Sequence, residues 1–376
     1  MSIIYCDHSG TTYVKKEVLN AMMPYFSEQF GNPSSLYSIG RKSKEAVDEA
    51  RIKVANAINA EPKEIYFTSC GSESDNLALK GFAYANRDRG NHIITSKIEH
   101  PAILNTCKTL EKQGFVVTYL NVDKNGFVDI KELNNSITKD TILISIMTAN
   151  NEIGTIQGIK DIGRIARANN IVFHTDAVQA IGNIKINVKD MNVDMLSMSA
   201  HKFYGPKGVG ALYVREGIKF DRIQDGGHQE KDKRAGTENV AGIVGLGKAI
   251  EIANNNIDMY NSKLIDIREN FISMLEQELG KDNIKINGDR IRRLPGNVNV
   301  SFKDKDSNII LLELDKAGIC ASGGSACSSK SGVPSYVLEA IGLEKKWIDG
   351  TVRFTFGEGN SLKDVKYIVK CLKNIK

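Results

Sequence analysis

From residue 64 the chain alternates short apolar runs with stretches of helical spacing. Runs at 64–68, 92–95, 116–120, 141–147, 171–175, 195–199 and 210–214 predict strands. Apolar residues at helical spacing predict helices at 75–86, 102–114, 130–137 and 161–169. Strand and helix in alternation predict an α/β fold with a mostly parallel sheet covered by helices on both faces. Ligands of such sheets bind beyond the carboxyl ends of the strands. Ahead of the sheet, Val47, Ala50, Val54 and Ile58 mark an amphipathic helix. After it comes a long helical stretch at 240–280, then a strand at 297–302, a helix at 307–317, a Gly/Ser-rich loop and a strand at 351–356. The expected organisation is an N-terminal segment (1–20) packing with the small domain, a large α/β domain (21–255) and a smaller α+β C-terminal domain (256–376).

Length and composition fit that division. A chain of 376 residues exceeds what one core usually serves. With 41% hydrophobic and 25% charged residues it has ordinary globular composition, which excludes disordered, collagenous and coiled-coil classes. A net charge of +5 gives no reason to expect direct nucleic-acid or membrane binding. The N-terminal residues show no leader pattern and the apolar runs are too short to span a bilayer, so a cytoplasmic protein is expected. The six cysteines form no C-x-x-C pair, which speaks against structural zinc, and no metal is expected. Taken singly, each cysteine reads as a buried, inert thiol.

Four places carry candidate chemistry. The run Ser199-Ala200-His201-Lys202-Phe203-Tyr204-Gly205 follows a strand and puts a lysine in a loop lined by hydroxyl and imidazole; taken alone, Lys202 could be a surface charge. Asp176 ends a buried-looking strand, where a carboxylate is costly unless it meets a cation. A strand-end aspartate and a loop lysine meeting one ligand is the arrangement pyridoxal phosphate needs. Gly71 and Ser72, in Thr68-Ser69-Cys70-Gly71-Ser72-Glu73-Ser74, lie between a strand and a helix and can aim backbone N–H groups at a phosphate, although Ser72 could simply cap the helix. His100, before Pro101, enters the next helix.

With these motifs go Gly31-Asn32-Pro33-Ser34-Ser35, Asn150-Asn151-Glu152-Ile153-Gly154, His174 to Gln179, Arg234 to Asn239, Ser322 to Cys327 and Val352-Arg353-Phe354. In order and spacing, over nearly the whole chain, they resemble the cysteine desulfurases of the NifS/IscS type. These belong to the class V aminotransferase group of fold-type I pyridoxal phosphate enzymes.

The resemblance implies removal of sulfur from L-cysteine, giving L-alanine and an enzyme-bound persulfide for acceptors in iron–sulfur cluster assembly or tRNA thiolation. It implies Lys202 as the lysine linked to the cofactor, His100 over the ring, Asp176 on the ring nitrogen and Gln179 on the ring hydroxyl. Gly71, Ser72, Ser199 and His201 match phosphate positions. Thr237 matches a threonine supplied by the partner of a homodimer. Asn151 would contact cofactor or substrate, and Arg353 would clamp the substrate carboxylate. Cys327 matches the nucleophile. The small residues around it, Ala321 to Gly332, cannot fill a core, so a mobile loop and an exposed thiol are expected there.

The chain departs from the family pattern at Cys70-Gly71-Ser72, in its opening around His8, at Tyr37 and in a longer run before Thr237. A selenocysteine lyase or another class V enzyme is the alternative activity, and a catalytically silent iron–sulfur assembly protein the alternative class. An iron–sulfur scaffold or another sulfur-acceptor protein is the expected partner.

Overall fold

The computed structural model describes residues 3–324 and 334–375. Twelve strands occur among them: β1 (Ile4–Tyr5), β2 (Ile65–Thr68), β3 (His92–Ser96), β4 (Val116–Leu120), β5 (Thr141–Ser145), β6 (Val172–Asp176), β7 (Met195–Ser199), β8 (Gly210–Val214), β9 (Ile284–Asn287), β10 (Asn297–Phe302), β11 (Ile319–Cys320) and β12 (Thr351–Thr355). Seven form the main sheet in the order β2-β8-β7-β6-β5-β3-β4. Its pairs are parallel except that β8 runs antiparallel to both β7 and β2. The link from β7 to β8 is Ala200–Val209, shorter than the dozen or so residues a parallel crossover needs, so the chain reverses there.

Side chains alternate across this sheet with a period of two. Ile94, Ile144, Phe173 and Leu196 point to one face of the sheet, into the first core with the helix Ser38–Ile58. Their neighbours Ile93, Leu143, Val172 and Met195 point to the other face, into a packed layer with Leu77, Phe82 and Ile103. Strands β3, β5, β6, β7 and β8 are buried along their whole length, as two covered faces require.

A second core lies between the antiparallel sheet β12-β10-β9 and the helices flanking it. The helix Val240–Leu279 belongs to both cores: Leu246, Ala249 and Ile250 pack into the first, Leu264, Phe271 and Leu275 into the second. The expected division at 255/256 therefore falls inside a continuous helix. Residues 3–22 are shared in the same way. Ile4 and Tyr5 pair with Ile319 and Cys320, and Cys6 sits in the second core, whereas Val18 and Met22 sit in the first. Among the described residues no helix is long and apolar enough to cross a membrane.

Candidate functional site

A cleft of about 260 Å³ opens at the carboxyl ends of β6 and β7. Asp176 is the last residue of β6 and Ser199 the last of β7; Lys202 closes the turn Ala200–Lys202 that follows. Gly71 begins the helix Gly71–Asn76, and a Cβ there would come within 2.7 Å of Val178, so only glycine lets this backbone approach. His100 is the N-cap of the helix Pro101–Glu111. Arg353 enters from β12 of the second core. Ser72, Asn151, Gln179 and His201 also line the cleft. Cys70, not Ser72, holds the N-cap position, so Ser72 is not a cap residue.

Burial sets the electrostatics. Asp176 is held above the usual carboxylate range by desolvation, against the pull of His100, the Val178 N–H at 2.9 Å and Lys202. His100 is pushed down by burial, partly offset by Asp176. Its Nδ1 accepts the Ala102 N–H at 3.2 Å, which leaves the proton of the neutral ring on Nε2. Lys202 Nζ donates to the carbonyls of Ser9 and Gly10, the latter at 2.7 Å. Gln179 Nε2 donates to the same Ser9 carbonyl at 3.1 Å. His201, with Nδ1 3.0 Å from Thr11 Oγ1, is pushed down to about 4 by burial and then by Lys202 and Lys207, so near neutrality it is an uncharged hydrogen-bonding group.

Arg353 is only 1% exposed. Its Nη1 donates to the Asn151 carbonyl at 2.9 Å, and its Nη2 to Asp7 Oδ1 at 2.8 Å and Ser322 Oγ at 3.0 Å. Nε is buried and has no hydrogen-bond partner among the described residues.

One expected residue does not line its own chain's cleft. Thr237 is exposed and lines a separate cavity with Arg234 and Glu230. Cys327 lies outside the described residues, as does the loop expected around it beyond Gly324. Conversely, the sequence reading passes over the Ser9 and Gly10 carbonyls and the buried Asp75 in the cleft, and Asp7, which pairs with Arg353. Cys70 also lines the cleft and is only half-buried, unlike the fully buried Cys6 and Cys107.

The residues present fit pyridoxal phosphate. A buried carboxylate, an amine and an imidazole line the cleft together, and Asp75 Oδ1 and Asn151 Oδ1 are buried there without hydrogen-bond partners among the described residues. Asp75, His100 and Asp176 also bring one ligand atom each within 4.8 Å of one another, a donor set that a divalent cation could use.

Comparisons with known proteins agree with this chemistry. The family described as aminotransferase class-V matches residues 4–368. A protein described as cysteine desulfurase IscS from Clostridium botulinum is 56% identical over 374 residues, covering 99% of this chain and 94% of its own. The structure of a NifS-like protein superposes with a TM-score of 0.93 at 37% identity, covering 99% of both chains. A protein named SspA, solved in complex with cysteine, superposes with a TM-score of 0.81 at 37% identity, covering 94% of this chain and 99% of its own. The chain therefore belongs to the class V aminotransferases, as a pyridoxal-phosphate-dependent cysteine desulfurase.

Proposed function

We propose that Lys202, His100 and Cys327 are the acting groups of this desulfurase and that Arg353 and Asn151 hold L-cysteine. The observation that carries this reading is the convergence of Lys202, Asp176, His100 and Arg353, from four elements and both cores, on one cleft. The relative solved with cysteine supports the choice of substrate.

Pyridoxal phosphate, when bound, supplies an electron-poor conjugated ring that stabilises negative charge at the substrate Cα. Asp176 would hold its ring nitrogen, Gln179 its ring hydroxyl and His100 its face. Gly71, Ser72, Ser199 and His201 would hold its phosphate, joined by Thr237 of the partner subunit in a homodimer. The exposure of Thr237, away from its own chain's cleft, supports that shared arrangement.

Lys202 Nζ would hold the cofactor covalently, and its amine is the base for the Cα proton. Arg353 offers the substrate carboxylate its unpartnered Nε beside the two donors that Asp7, Ser322 and Asn151 already orient. His100, neutral and protonated on Nε2, handles the proton at the substrate sulfur. The Cys327 thiolate attacks that sulfur. An S–S bond forms and the Cβ–S bond breaks; its electron pair stays with the carbon skeleton, which takes the former thiol proton at Cβ through His100, regains the Cα proton from Lys202 and leaves as L-alanine. The sulfur remains on Cys327 as a persulfide.

The persulfide passes to an iron–sulfur scaffold or another sulfur-acceptor protein, in the cytoplasm. The division into segments 1–20, 21–255 and 256–376 belongs to the same reading, with the helix Val240–Leu279 bridging the last two. Peptide mass mapping after incubation with sulfur-labelled L-cysteine, with L-alanine measured alongside, tests the assignment. Label on a cysteine other than Cys327 overturns it.

A further inference from the structure

β2 is an edge strand of the main sheet, and charged side chains stand where a neighbouring strand would pair with it. Alternate residues face that free edge. The Ile65 carbonyl accepts from Arg51 Nη1 at 2.7 Å, the Phe67 N–H donates to Glu230 Oε2 at 2.8 Å, and just past the strand the Ser69 N–H donates to Glu73 Oε2 at 2.8 Å. Arg51 and Glu230, each 7% exposed, are joined by two bonds of 2.8 and 2.7 Å. Arg234 Nε lies 2.8 Å from Glu73 Oε1, and its Nη2 lies 3.3 Å from Oε2. Two ion pairs therefore fasten the segment that carries Glu230, Arg234 and Thr237 to the strand that runs into Gly71 and Ser72.

Local preference does not give that segment its shape. Glu230, Lys231 and Asp232 follow one another in the left-handed region, at φ 45°, 58° and 64°. Residues with side chains persist there in succession only where surrounding contacts over-determine them, and the Glu230 carboxylate accepts three hydrogen bonds. Glu73 poses a second conflict. It follows Ser72 directly, in the first turn of the helix Gly71–Asn76, so its charge lies beside the turn assigned to a phosphate. Burial opposes that charge, yet Arg234 and Ser69 hold the acid below the usual carboxylate range. An unpaired carboxylate in this place repels a phosphate, whereas one joined to a guanidinium brings no net charge.

We infer that Glu73 and Arg234 are positioning residues for the phosphate of pyridoxal phosphate. Glu73 fixes the turn Ser69–Gly71 through the Ser69 N–H, and Arg234 cancels the charge that Glu73 brings to it. The Arg51–Glu230 pair holds the segment that supplies Arg234. Neither Glu73 nor Arg234 lines the cleft, so both act through the backbone and the field at its phosphate end and not on the reacting atoms. This role rests on the assignment of Gly71 and Ser72 to the phosphate.

Titration of the full-length apoenzyme with pyridoxal phosphate and with pyridoxal, which lacks the phosphate, tests this: the ratio of the two Kd values reads the phosphate end alone. Arg234→Ala strands the Glu73 charge, so it should weaken pyridoxal phosphate by about tenfold or more while pyridoxal stays within about threefold of the parent. Adding Glu73→Gln to that variant removes the stranded charge and keeps an acceptor for the Ser69 N–H, and should recover most of the loss. Arg234→Lys, the milder change for folding, keeps the charge and should hold a ratio near the parent's. An unchanged ratio in Arg234→Ala, whether both ligands are weakened or neither, overturns the inference. So does a lack of recovery on adding Glu73→Gln, or a collapsed ratio in Arg234→Lys. A parent that binds pyridoxal as tightly as pyridoxal phosphate marks a different failure: the assignment of Gly71 and Ser72 to the phosphate falls, and the positioning role with it.

Discussion

Asp7 Oδ1 lies 2.8 Å from Arg353 Nη2, and Ser322 Oγ donates to the same carboxylate oxygen at 2.7 Å. The guanidinium assigned to the substrate carboxylate is thus already charge-matched and aimed by its own chain. Arg353→Ala removes a charge-assisted pair worth about 1.5–3 kcal/mol, so KM for L-cysteine should rise by roughly ten- to a hundredfold. Steady-state kinetics decide this, and an unchanged KM and kcat place Arg353 outside the site.

Lys202 is the one amine assigned to the covalent link. Borohydride treatment of the holoenzyme should therefore fix the cofactor to the peptide bearing Lys202, and Lys202→Ala should show no fixed adduct while retaining some bound cofactor through the phosphate contacts. An adduct of parental yield in Lys202→Ala, or one mapped to another lysine, removes the assignment.

For Cys327, the substitution Cys327→Ser replaces a thiolate with a hydroxyl, a far poorer nucleophile towards sulfur. The variant should keep its colour and bind L-cysteine, yet form no persulfide at position 327 and release little sulfide. Cys70→Ser and Cys320→Ser should retain most of the activity. Sulfane sulfur on Cys70 or Cys320, with none on Cys327, gives the opposite answer.

Glu99 is fully buried, and desolvation pushes its acid up to about 8, although Ser96 Oγ and the Met147 N–H donate to it. The folded value lies above the unfolded one of 4.5. The stability this group contributes is therefore fully present below pH 4.5 and is lost as pH rises through about 8. Glu99→Gln keeps an acceptor and cannot ionise. Its melting temperature relative to the parent should rise from pH 5 to pH 9, as read by thermal unfolding at both pH values; a difference that does not change with pH contradicts the raised value.

Much of the main sheet is legible in the sequence because each strand is a short run rich in apolar or β-branched residues and the helices between them repeat with helical spacing. The reversal at β8 is legible too, in the shortness of Ala200–Val209, although alternation alone suggests a parallel strand. Two-residue strands such as β1 and β11 have no local signal, since they exist only through pairing of Ile4 with Ile319 and Tyr5 with Cys320. The helix Leu362–Asn374 does announce itself, through a capping box between Ser361 and Asp364, and the strand and helix reading stops short of it.

In the site, Asp176 and Lys202 stand out because they follow strands. Asp75 carries a quieter signal: it lies four residues after Gly71, which puts it on the same helix face one turn on, and His174 lies two before Asp176 on one face of β6. The contacts of Asp7, Ser9 and Gly10 with Arg353, Gln179 and Lys202 carry none, because those partners lie at least 170 residues away along the chain.

The helix Val240–Leu279 runs 40 residues, about 60 Å, through both cores. In the second core its Phe271 packs edge-on against Phe354 and Phe356 at 5.0 and 5.2 Å between ring centroids. Fraying the helix at either end strips apolar contacts from one core and removes the support on which the other half of the same rod is seated. Melting is then a shared event: calorimetry should record a single heat-absorption peak, and Phe271→Ala, which costs about 3–5 kcal/mol locally, should lower that whole peak instead of splitting off a second one.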